Sequence, residues 1–254
     1  MTKSKHPVIE LSDISKTFVI REQRSQTIRD FILNILLRKH NSSKTINALT
    51  NINLSIYNSE VLGIIGRNGS GKSTLINIIM ESIVSDKGGV VKTKGKIIRL
   101  ALGMGVDPNL SARDNIYVNG SVLGLTFDKI GNIFDDIISF SDLENFVDTP
   151  VKFYSKGMKQ RLLFSIAIYA EADIFLLDEF FGGTGDKEFR EKSDLAFQEK
   201  IIQGKTIVIV SHSMNIIKKY CKKVIWIEDG KIKTTGTPSE VIEQYRQNTK
   251  RKKS

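Results

Sequence analysis

Hydrophobic positions along the chain fall into three kinds of pattern. Two N-terminal stretches alternate, residues 8–18 (VIELSDISKTF) and 50–57 (TNINLSIY), the second setting Ile52, Leu54 and Ile56 against polar neighbours. Period-two alternation puts one face on a core and the other in water, so a short antiparallel sheet is expected, with 8–18 as an edge strand. Continuous apolar runs form the second kind: residues 61–65, 174–177 and 206–210. Such runs suit strands buried on both faces, and their alternation with helical stretches predicts a parallel sheet with covered faces. The third kind has helical spacing. A helix from Lys72 to about Met80 follows the first buried run across a glycine-rich turn, and Asn115–Phe153 carries helical period with no good strand, which predicts a helical subdomain inserted between sheet strands.

Between the two alternating stretches, Ile28, Phe31, Ile32, Ile35 and Leu36 fall on one helical stripe, flanked by Arg21, Arg24, Arg29, Arg38 and Lys39. This basic amphipathic helix, about 21–38, either packs on the domain or docks on a membrane subunit or lipid interface; both readings stand. Near the end, Val224–Ile227 followed by Glu228-Asp229-Gly230-Lys231 reads as a strand and tight hairpin, and Thr237-Pro238-Ser239-Glu240 as the capping box of a last helix.

Composition narrows the class. With 254 residues, 40% hydrophobic and 26% charged, the chain suits an α/β domain over 8–245, with a helical subdomain over about 110–170 and a basic tail at 246–254. One cysteine, Cys221, and no apolar N-terminal leader point to a reducing, cytoplasmic setting. Apolar runs fall far short of the ~20 residues a spanning helix needs, so membrane association is expected to be peripheral. The net charge of +10 implies a polyanionic partner, whether nucleotide, nucleic acid or anionic membrane. Part of it sits in Lys250-Arg251-Lys252-Lys253, read as a frayed and solvated tail.

The chemistry is concentrated in three places. Gly66-Arg67-Asn68-Gly69-Ser70-Gly71-Lys72-Ser73-Thr74 satisfies the phosphate-binding loop pattern G-x-x-x-x-G-K-[ST]. Its glycines let backbone N–H groups turn inward onto phosphate oxygens, Lys72 pairs with the β/γ charge, and Ser73 ligates Mg²⁺. The second buried run ends in Asp178-Glu179. The first carboxylate is placed to bind Mg²⁺ and the second to act as general base on an attacking water. His212 follows the third buried run, at the sheet edge where the phosphates should lie, and there it can hydrogen-bond the γ-phosphate and sense its loss.

Tyr154-Ser155-Lys156-Gly157-Met158-Lys159-Gln160-Arg161 opens an apolar helix, and here nearly all of residues 8–245 resembles the ABC transporter ATPases. Ser155 and Gly157 match the family's L-S-G-G-Q signature. The resemblance implies an α/β P-loop fold with a mixed central sheet, an N-terminal antiparallel β subdomain and a helical signature subdomain. It implies a homodimer in which Ser155, Gly157 and Met158 of one copy close over ATP held by the other, and Phe18 standing where the family stacks an aromatic ring on adenine. Tyr-Ser-x-Gly-Met at 154–158, the turn Gly105–Leu110 leading to Asn115-Ile116, and Gly185-Asp186 look like the branch exporting O-antigen, capsule and teichoic acid. That branch implies two copies of a polytopic membrane subunit, peripheral attachment at the cytoplasmic face of the bacterial inner membrane, and no nucleic-acid partner. Some O-antigen members carry a further carbohydrate-binding domain; with this chain ending at Ser254, glycan selection is expected elsewhere.

Three departures stand out. No glutamine occurs between Lys72 and Gln160, so the family's Q-loop glutamine is missing, with Ala101 or Leu102 near its place. Six residues separate Glu179 from Asp186 where the family usually has five, and Lys156 replaces a small signature residue. The alternatives are a soluble ABC ATPase acting on nucleic acid or ribosomes, which the charge suits, and a nucleotide switch with vestigial hydrolysis.

Overall fold

The computed structural model describes residues 6–21, 43–101, 105–180 and 187–251. Leu102, Gly185-Asp186, the end of the basic tail and all of the expected 21–38 helix except Arg21, which closes the first strand, lie outside the described residues.

Among the described residues nine strands form two sheets. β1 (Pro7–Arg21), β2 (Ser43–Tyr57) and β4 (Val90–Thr93) make an antiparallel sheet in the order β2-β1-β4. The larger sheet runs β5-β6-β7-β3-β8-β9, from β3 (Val61–Ile65), β5 (Ile97–Ala101), β6 (Ile174–Asp178), β7 (Thr206–Val210), β8 (Lys223–Glu228) and β9 (Lys231–Gly236). It is parallel except for β9, which returns antiparallel on β8 through Asp229-Gly230. Both turn residues have positive φ, 49° and 73°, the backbone that a tight two-residue hairpin demands.

Continuous apolar runs became central strands for the expected reason. Every residue of β3 and β7 is buried, and successive side chains feed opposite faces: Leu62 and Ile64 one core, Val61 and Ile65 the other. The first core lies between this sheet, the antiparallel sheet and helix α1 (Lys72–Ile79). The second is covered by α4 (Lys156–Ala167), α5 (Lys187–Phe197), α6 (Met214–Tyr220) and α7 (Pro238–Arg251). A third core joins α4 to α2 (Ala112–Val122) and α3 (Phe127–Ser141). Ser111 starts α2 with a reciprocal capping box to Asp114, and Glu240 accepts from the Thr237 N–H at 3.0 Å where α7 begins.

Expectations about the N-terminal strands and the C-terminal tail are corrected. The strand expected at an edge over 8–18 lies in the middle of its sheet, because the short strand β4 pairs with its other side, and both β1 and β2 run longer than the alternation predicts. The stretch expected as a tail from 246 continues α7 to Arg251, and the Asn248 amide donates to Glu228 Oε1 at 3.1 Å, so docking against β8 holds it. β5 breaks the apolar pattern with Arg99, and its position beside β6 came only from pairing.

Candidate functional site

β3 delivers the chain to Gly66 at the C-terminal edge of the large sheet, and α1 leaves from Lys72, so the phosphate loop spans a strand end and a helix N-terminus. Two glycines are required by contact. A Cβ on Gly66 would stand 2.3 Å from the Ile227 carbonyl oxygen, and one on Gly71, where φ is +106°, 2.4 Å from the Ala48 carbonyl oxygen. The β8–β9 turn stitches the loop from outside. Gly230 N–H donates to the Ser70 carbonyl at 3.1 Å, while Thr50 N–H donates to the Gly230 carbonyl at 2.8 Å.

Inside the loop, Lys72 is buried and its Nζ donates to the carbonyls of Gly66 (2.8 Å) and Arg67 (2.9 Å). Burial pushes its ammonium pKa down, and the nearby carboxylates of Glu179 and Asp178 act in the opposite direction, which places both within electrostatic range of the lysine. Among the described residues buried Ser70 Oγ has no hydrogen-bond partner, and it lies beside Gly66, where an added Cβ would stand 2.6 Å from it. Asn68, Gly69 and Ser73 are exposed and Thr74 is half-buried, so the loop's outer rim and the first turn of α1 are open to a ligand.

β6 carries Asp178 to the same edge, and Glu179 follows with φ +51°, left-handed backbone costing about 1–3 kcal/mol for such a residue. Glu179 N–H donates to the Val210 carbonyl at 3.0 Å, and Glu179 Oε1 accepts from His212 N–H at 2.9 Å. The His212 ring Nε2 stands 3.7 Å from the same oxygen, with both side chains about half exposed. Thus Glu179 and His212, at adjacent strand ends, meet through this hydrogen bond. Asp178 does not stand alone. Arg99 from β5 places one guanidinium nitrogen 2.5 Å from Asp178 Oδ2 and another 2.9 Å from Asn77 Oδ1 on α1. Ala101, at the end of β5, pairs in register with Asp178; it or Leu102 was expected near the place of the missing glutamine, and Leu102 lies outside the described residues.

Phe18 lies half-buried in β1 opposite Ile46 of β2, on the same ribbon whose Ala48 touches Gly71, with Lys16 Nζ 5.6 Å from its ring centre. The signature segment is elsewhere. Ser155 caps α4, accepting from Met158 N–H at 3.2 Å, and the Tyr154 hydroxyl anchors the segment by donating to the Phe146 carbonyl at 2.6 Å. Ser155 and Lys156 are exposed, and a Cβ on Gly157 would meet nothing closer than Ser155 Oγ at 3.8 Å. Among the described residues no hydrogen bond joins Ser155, Gly157 or Met158 to the phosphate loop. The expected nucleotide residues therefore form two groups. Arg99, Asn77 and Gly230 are additions that the sequence reading missed, and Asp229-Gly230 was visible there only as a hairpin signal.

A family model described as ABC transporter matches residues 49–182. The O-antigen export system ATP-binding protein RfbB of Myxococcus xanthus is 40% identical over 244 residues, 94% of this chain and 55% of the relative. The teichoic acids export ATP-binding protein TagH of Lactococcus lactis is 45% identical over 198 residues, 78% of this chain and 42% of the relative. This chain thus spans about half the length of these curated relatives. RfbB of Klebsiella pneumoniae is 34% identical and matched over 98% of its length by 95% of this chain. Among solved structures, a dimeric bacterial ABC transporter cassette superposes with TM-score 0.67 at 23% identity, covering 91% of this chain and 98% of that one, which supports the fold.

Proposed function

Because this chain belongs to the ABC transporter family, we propose that it is the ATP-hydrolysing subunit of a bacterial exporter of a surface polysaccharide such as an O-antigen or teichoic acid. One observation carries the chemical half of the reading: Lys72, Asp178, Glu179 and His212 are brought to one sheet edge, with Lys72 in electrostatic range of both carboxylates and Glu179 accepting from the His212 N–H. The likeness to O-antigen and teichoic acid export proteins supports the cargo.

In this reading the loop N–H groups and the α1 N-terminus hold the ATP phosphates, and Lys72 leaves the loop carbonyls to pair with the β/γ charge. Glu179 takes a proton from water as its oxygen bonds the γ-phosphorus, and the bond from that phosphorus to the bridging oxygen of ADP breaks. His212, tied to Glu179, meets the γ-phosphate from the β7 end. Ser73 and Asp178 offer the hard oxygen donors that Mg²⁺ takes beside substrate phosphates, and the ion would supply charge neutralisation there. The other group, Ser155, Gly157 and Met158 with the α4 N-terminus, addresses ATP held by a second copy, giving a head-to-tail homodimer, and Phe18 faces adenine. Among the described residues no helix is long and apolar enough to cross a membrane. The dimer works beneath two copies of a polytopic permease at the cytoplasmic face of the inner membrane.

Glu179→Gln tests this. The variant should bind ATP and accumulate as a dimer on gel filtration while turnover falls by about 100-fold or more; hydrolysis at the wild-type rate would refute the base assignment. Recovery of a polytopic protein with the chain from detergent-solubilised host membranes supports export, and recovery with ribosomal or nucleoid proteins overturns it.

A further inference from the structure

Arg99 stands out because its two side-chain hydrogen bonds do not serve packing well. It sits in β5, where its neighbours Ile98 and Leu100 are buried, yet sends its guanidinium across to the tip of β6 and the side of α1. The two partners lie 22 and 79 residues away in sequence, at Asn77 and Asp178, one on the helix that follows the phosphate loop and the other the carboxylate assigned to Mg²⁺. The third donor, Nε, is buried with no partner among the described residues. A cation with an unpaired buried N–H is an expensive way to fasten a strand to a helix, and an apolar side chain would do so at less cost. Its electrostatic position is informative instead. Arg99 occupies Oδ2 of Asp178, which pairs in register with Ala101 near the place of the missing glutamine, so fixed positive charge already lies where an arriving divalent cation must share the carboxylate.

We propose that Arg99 is a built-in counter-charge of the nucleotide site, a positioning residue that holds Asp178 and makes the grip on ATP less dependent on Mg²⁺. This rests on the ATP-binding reading above. Before the metal arrives the guanidinium supplies part of the charge neutralisation that the phosphates need. Once the metal is present, the same charge repels it and the carboxylate is shared, so the metal adds less. The gain in nucleotide affinity on adding Mg²⁺ is therefore set by residue 99.

The experiment measures the affinity of a fluorescent ATP analogue in EDTA and in saturating Mg²⁺, by fluorescence titration of the full chain carrying Glu179→Gln to prevent turnover. The ratio of the two dissociation constants should rise about tenfold in Arg99→Met and Arg99→Gln, a change of about 1.4 kcal/mol in coupling. Arg99→Lys, which keeps the charge and loses the fork, should stay near the wild-type ratio. Circular dichroism melts confirm folding, and Arg99→Gln carries the test should Arg99→Met not fold. An unchanged ratio in the charge-removing variants, or an equal rise in Arg99→Lys, overturns the counter-charge role while leaving the ATP site intact. Failure of the unsubstituted Arg99 chain to bind the analogue under either condition overturns the ATP-binding reading and this inference with it.

Discussion

The phosphate loop and the signature segment both present a helix N-terminus, but they are built in opposite ways. At the loop, Gly66 and Gly71 are pressed against backbone carbonyls of Ile227 and Ala48, Lys72 is buried, and Gly230 clamps the loop from the β8–β9 turn. At the signature, Ser155 and Lys156 are exposed, Gly157 has open space around it, and the cap Ser155 to Met158 is local. The loop is completed by its own chain. The signature is anchored from behind through Tyr154 and leaves its front to whatever docks there, which in the proposed dimer is ATP held by a second copy. Stability and function should therefore be coupled at the first site and separable at the second.

The largest expected effect comes from adding one methyl group to each. Gly71→Ala puts a Cβ against the Ala48 carbonyl at a backbone angle L side chains rarely adopt, so unfolding free energy should fall by about 2–4 kcal/mol in denaturant titration. Gly157→Ala meets open space within a helix, so stability should stay within about 1 kcal/mol of wild type or rise, while ATP turnover drops. Equal destabilisation at both positions would break the contrast.

A smaller effect follows at the cap. Ser155→Ala removes the side-chain acceptor for Met158 N–H and should cost about 1 kcal/mol, whereas Ser155→Asp should keep the stability and still lower turnover, because added negative charge opposes a phosphate. If Ser155→Asp turns over ATP at the wild-type rate, the signature does not address phosphate.

The smallest effect is in pH. Burial lowers the Lys72 pKa from 10.5, so the folded state releases this proton before the unfolded chain does. The cost of holding the charge is present in full below the lowered value, and stability from this residue rises with pH through the window up to 10.5. Lys72→Met should lose that rise when melts are compared across the window. Ser155→Ala should retain it, since the signature segment buries no lysine.

Much of this contrast was legible early, and the reason is local. The runs at 61–65 and 207–210 carry no polar side chain because both faces of those strands are buried, and G-x-x-x-x-G-K-[ST] is tied to its chemistry by backbone geometry that only that spacing permits. β4 and β5 escaped notice because Lys92 and Arg99 interrupt their apolar pattern, and Arg99 finds its partners only after folding. The place of 8–18 in its sheet likewise depended on β4, a strand of four residues with too little pattern of its own.

What the sequence alone determined is the set of parts: the loop, the acidic strand tip, His212, the signature segment at the start of its helix and the buried strands that carry them. These are short-range features, written in spacing and in the alternation of polar and apolar residues. Only the tertiary structure decided which carboxylate is held by which cation, that Gly230 closes the loop, that Glu179 and His212 share a hydrogen bond, and that the signature faces outward. Each of those depends on strands distant in the chain being brought side by side, and pairing between distant segments is set by the packing of the whole core rather than by any residue's immediate neighbours.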